Sequence, residues 1–130
     1  MIAGEINKAG SPVIRITLIG KRARTTIEGV LDTIFDGHIC VPIAVAVPLG
    51  LELVNVVDSE LADGTIVEDE PVFAGKIEWG DETVDVDILL TKVPYALIGT
   101  AMLRGTEVNL NFSSGKVLIK TVTATPGESQ

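Results

Sequence analysis

Apolar and polar residues alternate with a period of two along much of this chain, the pattern of strands that bury one face. Ile2 to Asn7 reads as a short strand, and Lys8 to Pro12 is turn chemistry. Val13 to Ile19 is rich in branched residues, with Arg15 and Thr17 on one face; Gly20 to Ala23 closes a hairpin, and Thr25 to Leu31 returns. Asp32 to Gly37 breaks the alternation. Ile39, Val41 and Ile43 resume it, and Pro42 opens a helical turn that Pro48 and Gly50 keep short. Strands come next at Leu51 to Val57 and Thr65 to Glu70, joined across Leu61-Ala62-Asp63-Gly64, whose Asp-Gly pair is a strong hairpin signal. Val72 to Trp79 and Thr83 to Leu90 form a second hairpin around Gly80-Asp81-Glu82, with Asp85 and Asp87 turned away from the core. After Leu97-Ile98-Gly99, Thr100 to Arg104 reads as one or two helical turns capped by Thr100 and stopped by Gly105. Val108 to Phe112 and Lys116 to Val122 are the last strands. The pattern predicts an all-β chain of eight or nine short strands with two short helices, a small barrel or sandwich.

Composition narrows this picture. At 130 residues the chain fits one domain, expected over residues 1–122, with a disordered polar tail over 123–130. The Val and Ile share favours strands. A net charge of −8 argues against nucleic acid and anionic membrane surfaces as partners. Lys21, Arg22 and Arg24 read as a solvated hairpin tip rather than a docking patch. One cysteine, Cys40, excludes an internal disulfide, and with the single histidine, His38, two residues away it cannot build a metal site. No cofactor is expected. The opening residues lack a signal-peptide core, and no window reaches the ~20 apolar residues of a membrane span, so a cytoplasmic protein is expected. In that setting the Asn111-Phe112-Ser113 sequon is incidental.

The chemistry concentrates at Gly29-Val30-Leu31-Asp32-Thr33-Ile34-Phe35-Asp36-Gly37, where an apolar strand ends in Asp-Thr at a sharp turn. Taken alone, Asp32 is an aspartate at a strand-to-turn boundary, where aspartate is common. Residues further along the chain give the segment more meaning. Asp32-Thr33 leads through Phe35 and Gly37 to Ile39-Cys40-Val41-Pro42; Leu49-Gly50-Leu51 comes next, then Leu61-Ala62-Asp63-Gly64. Leu97-Ile98-Gly99 with Thr100 to Leu103, and Val108 to Phe112, complete the series. In this order and spacing the chain resembles, over roughly residues 13–120, the retropepsin-like aspartic proteases and their small bacterial relatives. The resemblance implies a closed barrel with a flap hairpin that works as a homodimer on peptide or protein substrates. Asp32 from each protomer would be one half of the catalytic pair, because a single Asp-Thr motif in so short a chain requires a second copy on a twofold axis. Thr33 would hold the pair across the dimer. Phe35 with Ala62, Asp63, Gly64 and Thr65 would contact substrate, the last four as the flap, and Leu97, Ile98 and Gly99 would pack behind the Asp32 loop.

Ile34 departs from the family pattern, which has glycine there. Its branched side chain either crowds the aspartate pair or is accommodated by the loop. Two functions remain open on this reading, an aspartic endopeptidase and a catalytically silent dimer that binds peptides or plays a structural role. A small β-barrel of another kind that binds a ligand is a third. Among the remaining candidates, Asp36 reads as a turn residue. A Cys40–His38 nucleophile pair lacks a third orienting group and the required geometry. Trp79 covers hairpin surface. The acidic residues Asp58, Glu60, Asp63, Glu68, Asp69 and Glu70 read as a solvated face, or else as a mouth that favours basic peptides.

Overall fold

The structure, a computed structural model, describes residues 1–122. The tail expected to be disordered, residues 123–130, lies outside the described residues. Ten strands and two short helices make up the described chain. In order these are β1 (Ile2–Ile6), β2 (Pro12–Ile19), β3 (Arg24–Leu31), β4 (Ile39–Pro42), α1 (Ile43–Leu49), β5 (Glu52–Glu60), β6 (Ile66–Trp79), β7 (Glu82–Thr91), β8 (Ala96–Ile98), α2 (Thr100–Leu103), β9 (Thr106–Asn111) and β10 (Lys116–Thr121). The sheet runs β5-β6-β7-β4-β8-β3-β2-β1-β10-β9, and an added pairing of β6 with β2 closes the six strands from β6 to β2 into a barrel.

The period-two pattern dictates which faces are buried. Ile14, Ile16 and Leu18 of β2 point inward while Arg15 is exposed and Thr17 is half-buried. On that outer face Thr17 meets Thr26 across the ladder, their hydroxyls 2.8 Å apart. Val86 and Ile88 of β7 are buried between exposed Asp85 and Asp87. Together with Ile39, Val41, Leu49, Ile77, Ile98, Val117 and Ile119 these side chains form one cluster, and Trp79 packs against its edge. Burying each such branched side chain contributes roughly 1.5–3 kcal/mol. The three ion pairs among the described residues, Lys21–Glu52, Arg24–Glu78 and Lys76–Asp85, are exposed and belong to the class worth about 0–1 kcal/mol each, so the apolar cluster holds the barrel together.

Four details differ from the sequence reading. Residues 65–70 and 72–79 are not separate strands: β6 runs unbroken past Pro71, because a bulge near Asp69 absorbs the irregularity. Ala96–Ile98, too short to show a period, pairs as β8. Pro42 is the residue before α1 rather than its first residue. The cap of α2 is Gly99, not Thr100, whose hydroxyl instead points to the carbonyl of Phe35 at 3.4 Å.

Candidate active site

The segment between β3 and β4 is positioned by β8. β3 pairs with β8 in parallel, Leu31 opposite Ile98, and β4 pairs with the other edge of β8 antiparallel, Ile39 opposite Ile98. Residues 32–38 therefore have to cross the end of β8, and the crossing is pinned by backbone hydrogen bonds. Asp32 N–H donates to the Ile98 carbonyl at 2.9 Å, and Gly99 N–H to the His38 carbonyl at 2.9 Å. Thr100 N–H donates to the Phe35 carbonyl at 2.8 Å and Ala101 N–H to that of Gly37 at 3.2 Å.

This crossing explains why residue 99 is glycine. A Cβ there would sit 2.1 Å from the Gly37 carbonyl oxygen and 2.6 Å from the Phe35 ring, closer than any side chain tolerates. The Phe35 ring also lies against Gly37, so it fills the inside of the loop while still bordering the cleft above. Leu97, Ile98 and Gly99 thus lie directly behind the Asp32 turn.

The Asp32 carboxylate is half-exposed, and its Oδ1 accepts the Ile34 N–H at 3.0 Å. Residue 34 thus orients the carboxylate through its backbone, a bond that any residue but proline can make. The Ile34 side chain is 79% exposed, so it is not buried against its own loop. Thr33 is also exposed in the single chain.

Asp32, Ile34, Phe35, Asp36, Gly37 and Cys40 form one wall of a cleft of about 680 Å³. Leu89, Leu90, Thr91 and Leu97 extend this wall, and the β5–β6 hairpin, from Val57 to Ala62 and at Glu70, forms the opposite one. The tip of the hairpin is a tight turn. Leu61 N–H donates to the Thr65 carbonyl at 2.7 Å, Gly64 takes φ +86°, and Asp63 Oδ1 accepts the Thr65 N–H at 2.9 Å. Ala62 borders the cleft with Asp32, whereas Asp63, Gly64 and Thr65 are exposed beyond its lining.

His38 and Cys40 do not form a nucleophile pair. His38 Nδ1 accepts the Asp87 N–H at 3.1 Å, which ties the ring to β7. Burial, then the nearby Glu70 and Asp32 carboxylates, push the Cys40 thiol up to about 12, the opposite of what a thiolate nucleophile requires. Sequence reasoning named Glu70 only within an acidic run, read as a solvated face or as a mouth that favours basic peptides, and the pairing of Glu70 with Val57 brings it to the cleft.

No family model and no curated relative matches this sequence. Solved structures do match. A retropepsin-like aspartic protease from Rickettsia conorii superposes with a TM-score of 0.62 at 16% identity, covering 91% of this chain and 88% of that one. EIAV protease, solved in complex with an inhibitor, gives 0.54 at 17% identity, covering 75% of this chain and 89% of that one. The chain folds as a retropepsin-like aspartic protease does: a strand-built barrel whose Asp-Thr turn crosses the end of β8 beneath a long hairpin.

Proposed function

We propose that this chain is an aspartic endopeptidase that works as a homodimer, each protomer contributing one Asp32. The carrying observation is the placement of Asp32, an oriented, solvent-accessible carboxylate on the wall of an open cleft that a hairpin covers. Two such carboxylates about 3 Å apart cannot both ionise and share one proton. The ionised one takes a proton from a water whose oxygen bonds to the scissile carbonyl carbon. The protonated one gives its proton to the carbonyl oxygen. Collapse of the resulting diol breaks the carbon–nitrogen bond as the departing nitrogen is protonated. Thr33 would tie the two loops together across the twofold axis. Ala62 to Thr65 would close over the substrate, and Leu97 to Gly99 would keep the Asp32 turn from moving.

The open cleft supports activity with Ile34 in place. A silent dimer that binds peptides is the second reading, favoured by one observation: Ile34 places an exposed branched side chain beside Asp32, where two loops must meet. Cleavage of an unfolded protein between about pH 3 and 7, the range in which a carboxylate pair can share a proton, separates the two. The expected result is cleavage by the natural chain and none by Asp32→Asn. Cleavage by Ile34→Gly alone would establish the silent reading.

A further inference from the structure

The cleft carries charge of one sign. Asp32, Asp36, Asp58, Glu60 and Glu70 line it, and no lysine or arginine does. The three ion pairs of the described residues lie elsewhere and neutralise none of these five. Asp58 is committed to the hairpin, because its Oδ1 accepts the Asp69 N–H at 3.0 Å and holds the bulge there. Glu60 and Glu70 remain on the hairpin wall, Glu60 exposed and Glu70 half-buried. Glu70 and Asp32 both lie near enough to Cys40 to raise its thiol, and all three line the cleft. The facing wall carries Leu89, Leu90 and Leu97 beside Asp32 and Asp36.

An extended peptide presents successive side chains to opposite faces. Lying in this cleft, it would turn one set toward the leucines and the other toward Glu60 and Glu70. Low-dielectric walls focus the field of such carboxylates and reduce its screening by salt. We infer that the cleft selects extended peptides in which lysine or arginine alternates with apolar residues, Glu60 and Glu70 receiving the cationic side chains. This rests on reading the cleft as a peptide-hydrolysing site, and it goes beyond that reading by naming the substrate class.

The test measures binding apart from turnover. The full-length Asp32→Asn chain is titrated against fluorescein-labelled octapeptides of one Val/Leu/Ala frame carrying two lysines, two glutamines or two glutamates. Fluorescence anisotropy reads the affinities. The lysyl peptide is expected to bind about tenfold more tightly than the glutaminyl one and the glutamyl peptide more weakly than either, with the lysyl advantage shrinking as salt rises. Adding Glu60→Gln and Glu70→Gln, with far-UV circular dichroism as the check of folding, should bring lysyl and glutaminyl affinities within about twofold. Adding Glu82→Gln and Glu107→Gln, outside the cleft, should leave the preference intact. Equal affinity for the lysyl and glutaminyl peptides would overturn the inference. So would an equal loss of preference from the two remote substitutions, since overall negative charge would then explain it. Wild-type hydrolysis is read separately. Selective lysyl binding without hydrolysis would sink the protease and leave the selectivity standing. Hydrolysis of all three peptides at one rate, with equal binding, would sink the selectivity and leave the protease.

Discussion

Burial together with the carboxylates of Glu70 and Asp32 pushes the Cys40 thiol from 9.0 up to about 12. Because the folded value lies above the unfolded one, the neutral thiol favours the fold fully below pH 9, and that contribution is lost as pH rises toward 12. Both reactivity and stability should register this. Iodoacetamide at pH 8 should label Cys40 at least about a hundredfold more slowly in the native chain than in urea, because little thiolate is present and the sulfur is covered. A urea midpoint measured from pH 8 to 11 should fall in the natural chain and stay flatter in Cys40→Ala. Rapid labelling of the native chain would show the thiol to be open and ionised. Gly99 poses a different constraint. A Cβ 2.1 Å from the Gly37 oxygen has nowhere to go, because both sides are backbone. Gly99→Ala is therefore expected to cost about 2–4 kcal/mol in a denaturant titration, within the range of severe overpacking, and to disturb the Asp32 turn. Ile34 behaves in the reverse way. Its amide does the orienting and its side chain is exposed in the single chain, so Ile34→Gly should change the single chain's stability by less than about 1 kcal/mol, whatever it does to pairing or activity.

The β5–β6 hairpin illustrates what the sequence discloses at the level of an element. Asp63-Gly64 announces the turn, and the turn forms there, because Gly64 supplies φ +86° and the Asp63 carboxylate closes on Thr65. The bulge lower down carries no comparable signal. Asp69 adopts φ +54°, and Asp58 holds its amide. That contact crosses the hairpin and leaves no local pattern, so residues 65–70 and 72–79, parted by Pro71, read as two strands. β8 was hidden for a related reason: three residues between two neighbours from distant parts of the chain have no period of their own. Hydrogen bonds from the Thr65 hydroxyl and then its amide hold the Asp63 carboxyl below its ordinary value of 3.8. A depressed folded value means that the turn keeps this support above the ordinary value and loses it as pH falls through the lower one. An NMR titration of the Thr65 amide should therefore show a midpoint below 3.8. A midpoint at or above 3.8 would place the Asp63 carboxyl free in solution.

For the whole molecule, the ordered motifs indicated the barrel, but the pairing of β2 with β6 that closes it could not be read from local pattern. The most consequential point is that the proposed mechanism needs two Asp32 carboxylates. One chain carries one Asp-Thr turn, and beside it in the cleft Ile34 and Leu61 are 79% and 49% exposed. Under the proposed function, a chemistry needing two carboxylates calls for a second copy related by a twofold axis, which would also cover exposed apolar side chains beside the turn. Mixing experiments test this more sharply than a mass measurement, because they connect assembly to activity. If each active unit needs two Asp32 carboxylates and chains pair at random, a ninefold excess of Asp32→Asn leaves about a tenth of the natural chains paired with one another. Activity at fixed natural-chain concentration should then fall to about a tenth once exchange is complete. An enzyme acting as a monomer would lose nothing. The same logic predicts that dilution below the dimer dissociation constant makes the rate per chain fall in proportion to concentration, and that an excess of Asp32→Asn added to such a dilute sample draws natural chains into inactive pairs and lowers the rate further. A rate per chain that is constant on dilution and indifferent to the variant would show that one Asp32 suffices, and the shared-proton mechanism would have to be abandoned.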